Sequence, residues 1–395
     1  MNGMLAVRSA CVARPRAAPV EVSRLCGMTG LAALRDEWAA LSAALRDRRF
    51  HHEHAWHAAV LAHLERRPDE LHFFAFRRAG RTIGIFPLRR ALRTLAGVEL
   101  AVWELPFAPH IDLCDVLAAR DEDSAALLSR LVRELARHPA PSWDALHLPH
   151  LLDNSVALRA LQAAPVSFAV ARSASSMHFP CDDLDTALRN VAPAFARNLR
   201  RQRRKLEQYG RVAMEVVREP GALDAALAEF LRIEASGWKG GCRSAIALNP
   251  GVEAFYRELA RRFGAERRCA INLLTLSGRP IAAQFALISG RRMNLLKIAY
   301  DEAYADAAPG SRLLHDVLAW CCDSAEIGEL NLVTGPAWAA GRWNPDSEDV
   351  WTGWVFNTTP RGMAAYMATR AKPVIAAARS ALVRPRADVR DPAAH

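Results

Sequence analysis

The stretch LLKIAYDEAYADAAPGSRLLHDVLAWCC, from Leu295 to Cys322, decides how the rest of the chain is read. An apolar β-type run closes at Tyr300, a polar loop follows, and Pro309-Gly310-Ser311 opens a helix in which Leu313, Leu314, Val317, Leu318 and Cys321 recur at helical spacing. Proline suits the first helical position, where the N–H it lacks would have no partner, and glycine admits close approach to the backbone. Such a strand, loop and helix start turns unpaired N–H groups and the positive end of the helix dipole outward, an arrangement suited to a pyrophosphate. An ordinary helix start after a loop has the same local sequence, so spacing alone leaves both readings open.

Upstream, CAINLLTLSGRPIAAQFALISGRRMNLLKIAY from Cys269 to Tyr300 sets two apolar runs about a turn at Ser277-Gly278 and adds a strand after Gly290. LHFFAFRRAGRTIGIFPLRR, from Leu71 to Arg90, repeats the run, the turn (here Ala79-Gly80) and the second run. Helical periodicity precedes each: Leu31 to Leu45 and Trp56 to Leu64 before the first, Leu223 to Leu231 and Val252 to Phe263 before the second. Helices followed by an antiparallel meander, twice over, predict an α+β protein of two domains of similar design, at 20–175 and 176–365. Met1 to Pro19 mixes Ala, Arg and Pro without a sustained period and is expected to be disordered; the tail at 366–395 is expected to end likewise from about Ala371.

With 395 residues, 51% hydrophobic and 24% charged, the composition is that of an ordinary soluble protein large enough for two cores. No uncharged apolar run approaches the roughly 18 to 20 residues of a membrane span, and the N-terminus lacks a signal-peptide core, so a cytoplasmic location is expected. The eight cysteines include no C-x-x-C pair and are expected to be reduced, without a structural zinc site. His51, His52, His54 and His57 lack the H-E-x-x-H spacing, because Trp56 stands where the second ligand is needed, and no metal is expected there. Neither a G-x-S-x-G elbow nor a P-loop run occurs. The net charge of +10 favours anionic partners without choosing among them.

Two further clusters bear on chemistry. In FLRIEASGWKGGCRSAI, from Phe230 to Ile246, a helix carrying Glu234 runs into a glycine-rich loop with Trp238 and Lys239; Glu234 reads either as a general base near an amine or as a loop anchor. In ARNLRRQRRKLEQYG, from Ala196 to Gly210, six of the nine residues from Arg197 to Lys205 are basic, while Phe195, Leu199 and Leu206 share one helical face. This basic helix, Arg200 and Arg204 included, reads as a surface for phosphates or an anionic membrane, or as a solvated face. Nucleic acid is not expected, because no aromatic interleaves with the arginines.

Together the runs Arg197–Glu207, Glu234–Ile246 and Lys297–Leu314 resemble the CelD-like branch of the GNAT acyltransferases, associated with bacterial cellulose and exopolysaccharide production, and more distantly the Fem-type peptidyltransferases. The resemblance spans roughly residues 20 to 360 and implies two tandem GNAT-like folds, with acetyl-CoA or another acyl-CoA bound in the second. It implies N-acyl transfer to an anionic small-molecule or glycan-precursor acceptor. On this reading Pro309, Gly310, Ser311 and Arg312 hold the CoA, Glu234 is the base, Tyr300 or Tyr304 the acid, and Trp238, Lys239, Lys297, Arg200 and Arg204 meet the acceptor. The chain departs from the pattern in two places. The Q/R-x-x-G-x-G/A loop common in GNAT proteins is missing before the helix, and in NLVTGPAWAAGRWNP Pro336, Ala339 and Ala340 stand where relatives tend to have an acidic residue and a tyrosine-lysine pair. Gly335 and Trp343 remain, and Arg342 offers a positive charge. These departures favour a rival reading, a non-catalytic module that docks on an anionic ligand or membrane surface, whereas the matching run from Lys297 to Leu314 favours the enzyme.

Overall fold

Two hairpin turns sit at matching places in the two halves of the chain, Ala79-Gly80 with φ of 48° and 78° and Ser277-Gly278 with φ of 50° and 86°. Both central residues are left-handed, the geometry that a two-residue turn between right-twisted strands requires. The computed structural model describes residues 18–137, 142–237 and 245–382. Its strands are β1 (Val20–Cys26), β2 (Leu71–Arg78), β3 (Arg81–Leu95), β4 (Val98–Glu104), β5 (Leu117–Ala118), β6 (Ala145–Leu152), β7 (Phe168–Pro180), β8 (Val212–Val217), β9 (Cys269–Leu276), β10 (Arg279–Ser289), β11 (Arg292–Tyr300), β12 (Glu329–Asn331) and β13 (Asp346–Phe356).

They form one continuous sheet in the order β1-β2-β3-β4-β6-β13-β7-β12-β11-β10-β9-β8, with β5 beside β3. The order reads the same from either edge. β1 to β4 and β6 form one half, β8 to β12 the other, and among the described residues each half contains a single short parallel contact at its inner side. In the first, Val102–Glu104 pairs with Ala145–His147; in the second, Arg292–Asn294 pairs with Glu329–Asn331. The last strand of each half is exchanged. β7 follows β6 in the chain yet pairs with β12, whereas β13 follows β12 yet pairs with β6, and the two lie antiparallel to each other at the centre. The division expected between 175 and 176 falls inside β7.

The helices match the periodic stretches with two differences. The run Leu31–Leu45 is two helices, Gly27–Ala33 and Arg35–Ala43, because Leu34 leaves helical geometry at φ −94° and ψ 2°. The tail expected to be irregular from about Ala371 is helical as far as Leu382, in helix Pro360–Leu382, where an alanine-rich run of high helix propensity outweighs Pro373; its remainder, 383–395, lies outside the described residues. The N-terminal segment expected to be disordered lies outside the described residues except for Ala18 and Pro19. The first meander also has a third strand, β4, reached through another left-handed turn at Ala96-Gly97. A core runs across both halves, with Trp56 of helix His54–His63 edge-on to Phe255 of helix Pro250–Gly264 at 5.3 Å between ring centroids. A second core lies under helix Pro309–Asp323.

Candidate functional site

β11 pairs with β12 only as far as Asn294, so Leu295 to Tyr300 run on without a parallel neighbour. The register of β10 against β11 slips at Phe285/Ala286, where Leu296 is the extra residue, and such a bulge bends a strand away from its neighbours. The chain then passes through the short turn Glu302–Ala307 and Ala308, left-handed at φ 46°, into helix Pro309–Asp323. No side chain caps this helix start, Pro309 has no N–H to satisfy, and the free N–H groups of the first turn remain for a ligand.

The corresponding helix of the first half is closed to anions. Asp123 accepts from the N–H groups of Ala125 and Ala126 at 2.9 and 3.3 Å, placing its own negative charge at the helix start. Where β4 and β6 end their contact, Glu104 is fully buried between His147 (3.1 Å), Arg93 (2.8 Å) and Arg89 (3.0 Å). Burial alone would raise its pKa, but these partners hold it below the ordinary carboxylate value. Among the described residues, only the second half therefore offers an uncapped helix start beside separating strands.

Two cavities flank that helix start. One, of about 410 Å³, is lined by Glu234, Gln284, Ile298, Tyr300, Glu302, Gly310, Leu313 and Trp338 among others. It brings together three residues expected on sequence grounds, Glu234, Tyr300 and Gly310. Among its described lining residues are two carboxylates and no basic side chain, which suits an amine rather than an anion. Glu234 is 4% exposed and its Oε2 accepts the N–H of Ile246 at 2.8 Å, so it ties the far end of the glycine-rich loop to its helix. Tyr300, Ile298 and Trp338 form a half-open apolar mouth. The Gln284 Oε1 accepts from Asn272 Nδ2 at 3.1 Å, which fixes the orientation of a buried amide at the cavity wall.

The second cavity, of about 180 Å³, lies between helix Pro309–Asp323 and the basic helix Pro193–Gln208 and is lined by Arg200, Arg203, Ser311, Arg312 and His315 with apolar neighbours. Arg200 thus meets Ser311 and Arg312 across a cleft. Arg312 is already engaged, donating from Nε to Asp316 at 2.5 Å and from Nη1 to Glu207 at 3.4 Å. Burial would raise the Asp316 pKa, but His315 and Arg312 hold it below its ordinary value. The basic helix rests on Leu206, fully buried, and on the partly buried Leu199 and Phe195, while Arg197, Arg200, Arg201, Arg203 and Arg204 are exposed.

The other expected residues fall elsewhere. Tyr304 packs edge-on against Tyr209, at 5.8 Å between centroids, and does not line the cavity of Glu234 and Tyr300. The Lys297 Nζ faces Asp112 at 4.0 Å, outside both cavities. Arg204 lines neither. Trp238 and Lys239 lie outside the described residues. Of Pro336, Ala339 and Ala340, Ala339 is fully buried and Ala340 exposed, next to Trp338 at the cavity mouth. Sequence reasoning missed Gln284, Glu302 and Trp338. A polar residue within the apolar run IAAQFALIS was the available signal for Gln284.

Residues 193–340 match the family described as "Acetyltransferase (GNAT) domain". No curated protein matches the sequence. Among solved structures FemX has a TM-score of 0.52 at 12% identity, covering 82% of this chain and 96% of that one. The C-terminal domain assigned to a lysylphosphatidylglycerol synthetase from Agrobacterium fabrum has a TM-score of 0.51 at 12% identity, covering 86% and 97%. A conserved protein of unknown function from Bacteroides thetaiotaomicron follows at 0.50 and 12%, covering 82% and 97%. The tandem GNAT-like α+β fold expected from the sequence is therefore the fold of this chain, and residues 193–340 of its second half are similar to a GNAT acetyltransferase domain.

Proposed function

We propose that the chain is an acyl-CoA-dependent N-acyltransferase, with acetyl-CoA or another acyl-CoA bound at the start of helix Pro309–Asp323 and a small or glycan-precursor amine accepted in the neighbouring cavity. The observation that carries this reading is the uncapped helix start opening onto a cavity with two carboxylates. The helix dipole and first-turn N–H groups suit the pyrophosphate, and the arginines of the basic helix suit the remaining phosphate of CoA. An acceptor amine arrives as an ammonium ion, which Glu234 and Glu302 attract.

Glu234 takes one proton from the ammonium ion, the amine nitrogen attacks the thioester carbonyl carbon, the carbon–sulfur bond breaks, Tyr300 protonates the leaving thiolate, and the second proton lost by the nitrogen restores the Tyr300 phenol. A role in exopolysaccharide or cellulose synthesis rests on the sequence resemblance. No helix among the described residues is long and apolar enough to cross a membrane.

The test is release of free CoA thiol from acetyl-CoA in the presence of a panel of amines, alongside melting curves with acyl-CoAs of increasing length. Stabilisation by about 2.7 kcal/mol is expected when the ligand is about 100-fold above its Kd. A melting temperature unmoved by millimolar CoA would overturn the donor site. The structural role of Glu234 as anchor of Ile246 favours a second reading, a binding module without turnover. CoA stabilisation with no thiol release from any amine would decide for it.

A further inference from the structure

A further cavity is in the other half of the molecule. About 570 Å³ in volume, it lies between the turn after helix Arg35–Ala43, the segment that follows β5 and the start of helix Val156–Ala163. Its lining carries Arg46, Arg49, Arg120 and Arg159 against Asp47, Asp115 and Glu122.

Each carboxylate is already committed. Asp47 lies 2.8 Å from Arg49 and 2.9 Å from Arg292. Asp115 accepts from the N–H groups of Val156 (2.9 Å) and Ala157 (2.8 Å), and lies 3.1 Å from His52 Nε2. Glu122 pairs with Arg78 at 2.9 Å. Arg49, only 3% exposed, is held by Asp47 and by both oxygens of Glu348 at 2.9 and 3.3 Å. That leaves Arg46, Arg120 and Arg159, all exposed at the cavity and none in an ion pair among the described residues. Deeper in the wall His51 is 3% exposed, and its Nδ1 has no hydrogen-bond partner in the protein.

A polar floor beneath three guanidinium groups that lie outside any ion pair, of which Arg159 donates from Nη1 to the Asn154 carbonyl, is a different arrangement from the scattered arginines of the basic helix. A cavity of this size encloses a small molecule, and planar guanidinium forks match the several oxygens of a phosphoryl group. A single carboxylate would occupy one arginine and leave two. We infer that this cavity is a second ligand site, taking a phosphorylated small molecule whose phosphoryl oxygens are held by Arg46, Arg120 and Arg159. The inference is independent of the acyl-transfer reading, because none of these residues lines the cavities beside helix Pro309–Asp323.

The experiment is arginine modification by phenylglyoxal, followed residue by residue in peptide mass spectra of the full chain, with inorganic pyrophosphate as the probe. With pyrophosphate at about five times its Kd, occupancy slows modification of the three arginines about sixfold, while Arg35, exposed and outside the cavity, reacts at its unliganded rate. Equal rates with and without pyrophosphate at Arg46, Arg120 and Arg159 overturn the proposal, and so does equal slowing at Arg35. The variant R46Q/R120Q/R159Q removes no ion pair and should bind pyrophosphate at least about tenfold more weakly, the loss of about 1.4 kcal/mol of affinity. Undiminished affinity in that variant also overturns it. Should the variant not fold, the protection pattern of the parent protein decides alone.

Discussion

A Cβ atom placed on Gly310 would lie 3.3 Å from Cδ1 of Tyr300, so the residue that opens the helix and the aromatic that ends β11 are in direct contact. A side chain at this position would press on that ring, and the first-turn N–H groups stay uncovered beside it. Tyr300 is 43% exposed and free to turn outward. Gly310→Asp is therefore expected to leave the fold intact while setting a carboxylate at the phosphate site. CoA affinity should fall at least about tenfold, or about 1.4 kcal/mol, with little change in melting temperature, because an acidic residue in the first turn favours the helix itself. Calorimetric titration of the folded variant checks this, and an unchanged Kd would show that the helix start is not the donor site.

Glu234 separates its two roles by substitution. Glu234→Gln keeps an oxygen for the Ile246 N–H but cannot take a proton, so stability should be retained while turnover falls by about 10²- to 10⁴-fold. Glu234→Ala strands a buried N–H and should cost about 1 to 3 kcal/mol of stability as well. If Gln turns over as fast as the parent, Glu234 is an anchor alone.

How much of this was legible in the sequence follows from the range of the interactions involved. The turns at Ala79-Gly80 and Ser277-Gly278, the helix start at Pro309 and the apolar stripe of the basic helix are local, set by residues a few positions apart, and they were readable. The exchange of β7 and β13 was not, because nothing in FAVARSASSMHFP says that it will pair with Glu329–Asn331 rather than with the strand before it. β4 was missed because the outer end of β3, with Arg89, Arg90 and Arg93, does not alternate cleanly; two of those arginines serve the buried Glu104 from elsewhere on the sheet. In the site, Glu234, Tyr300 and Gly310 line one cavity. Arg312 does not reach out as expected, because Asp316, one helical turn on, and Glu207 of the neighbouring helix already hold it.

The two halves are linked by a charge network that sets a pH dependence. Burial alone would raise the pKa of Asp47, but Arg49 and Arg292 outweigh it and bring the group down from 3.8 to about 2. A depressed carboxylate contributes stability that is complete above its unfolded value and lost as pH falls through the folded one. Asp47→Asn should thus be destabilised by about 2 kcal/mol at pH 7, and the gap between variant and parent should close between about pH 5 and pH 2. Urea midpoints across that range check it. A gap that stays constant down to pH 2 would mean that the Asp47 charge is not what is lost.

The basic helix is seated by Leu206, Leu199 and Phe195, and its arginines make few ionic contacts; Arg203 pairs with Glu207 at 3.1 Å on the surface, and Arg201 donates to Asn198 at 2.9 Å. Replacing Arg200, Arg201, Arg203 and Arg204 by Gln should therefore leave the melting temperature nearly unchanged, since glutamine forms helices about as well as arginine. Binding of CoA, or of vesicles containing phosphatidylglycerol, should weaken and lose salt dependence. Identical affinities at low salt would show a solvated face.

The exchanged strands make the last prediction. β13 lies between β6 and β7 at the middle of the sheet, in register with β7 from Asp346↔His178 to Val355↔Phe168 and with β6 from Val350↔Leu152 to Phe356↔Ala145. A chain stopped after Pro345 loses both ladders at once. It is left with two unpaired edges facing one another where the sheet is widest, and with Trp354, Val355 and Phe356 gone from the cores they fill. Either half alone is in the same position, since each lacks the strand that the other supplies. Truncation at Pro345, or expression of 1–180 by itself, should give an aggregating product without a cooperative thermal transition, whereas a Pro360-terminated chain that keeps β13 but lacks the last helix should retain one. A soluble, cooperatively melting 1–180 fragment would show that the first half closes its own sheet, and that the exchange is a docking of finished domains rather than a condition of folding.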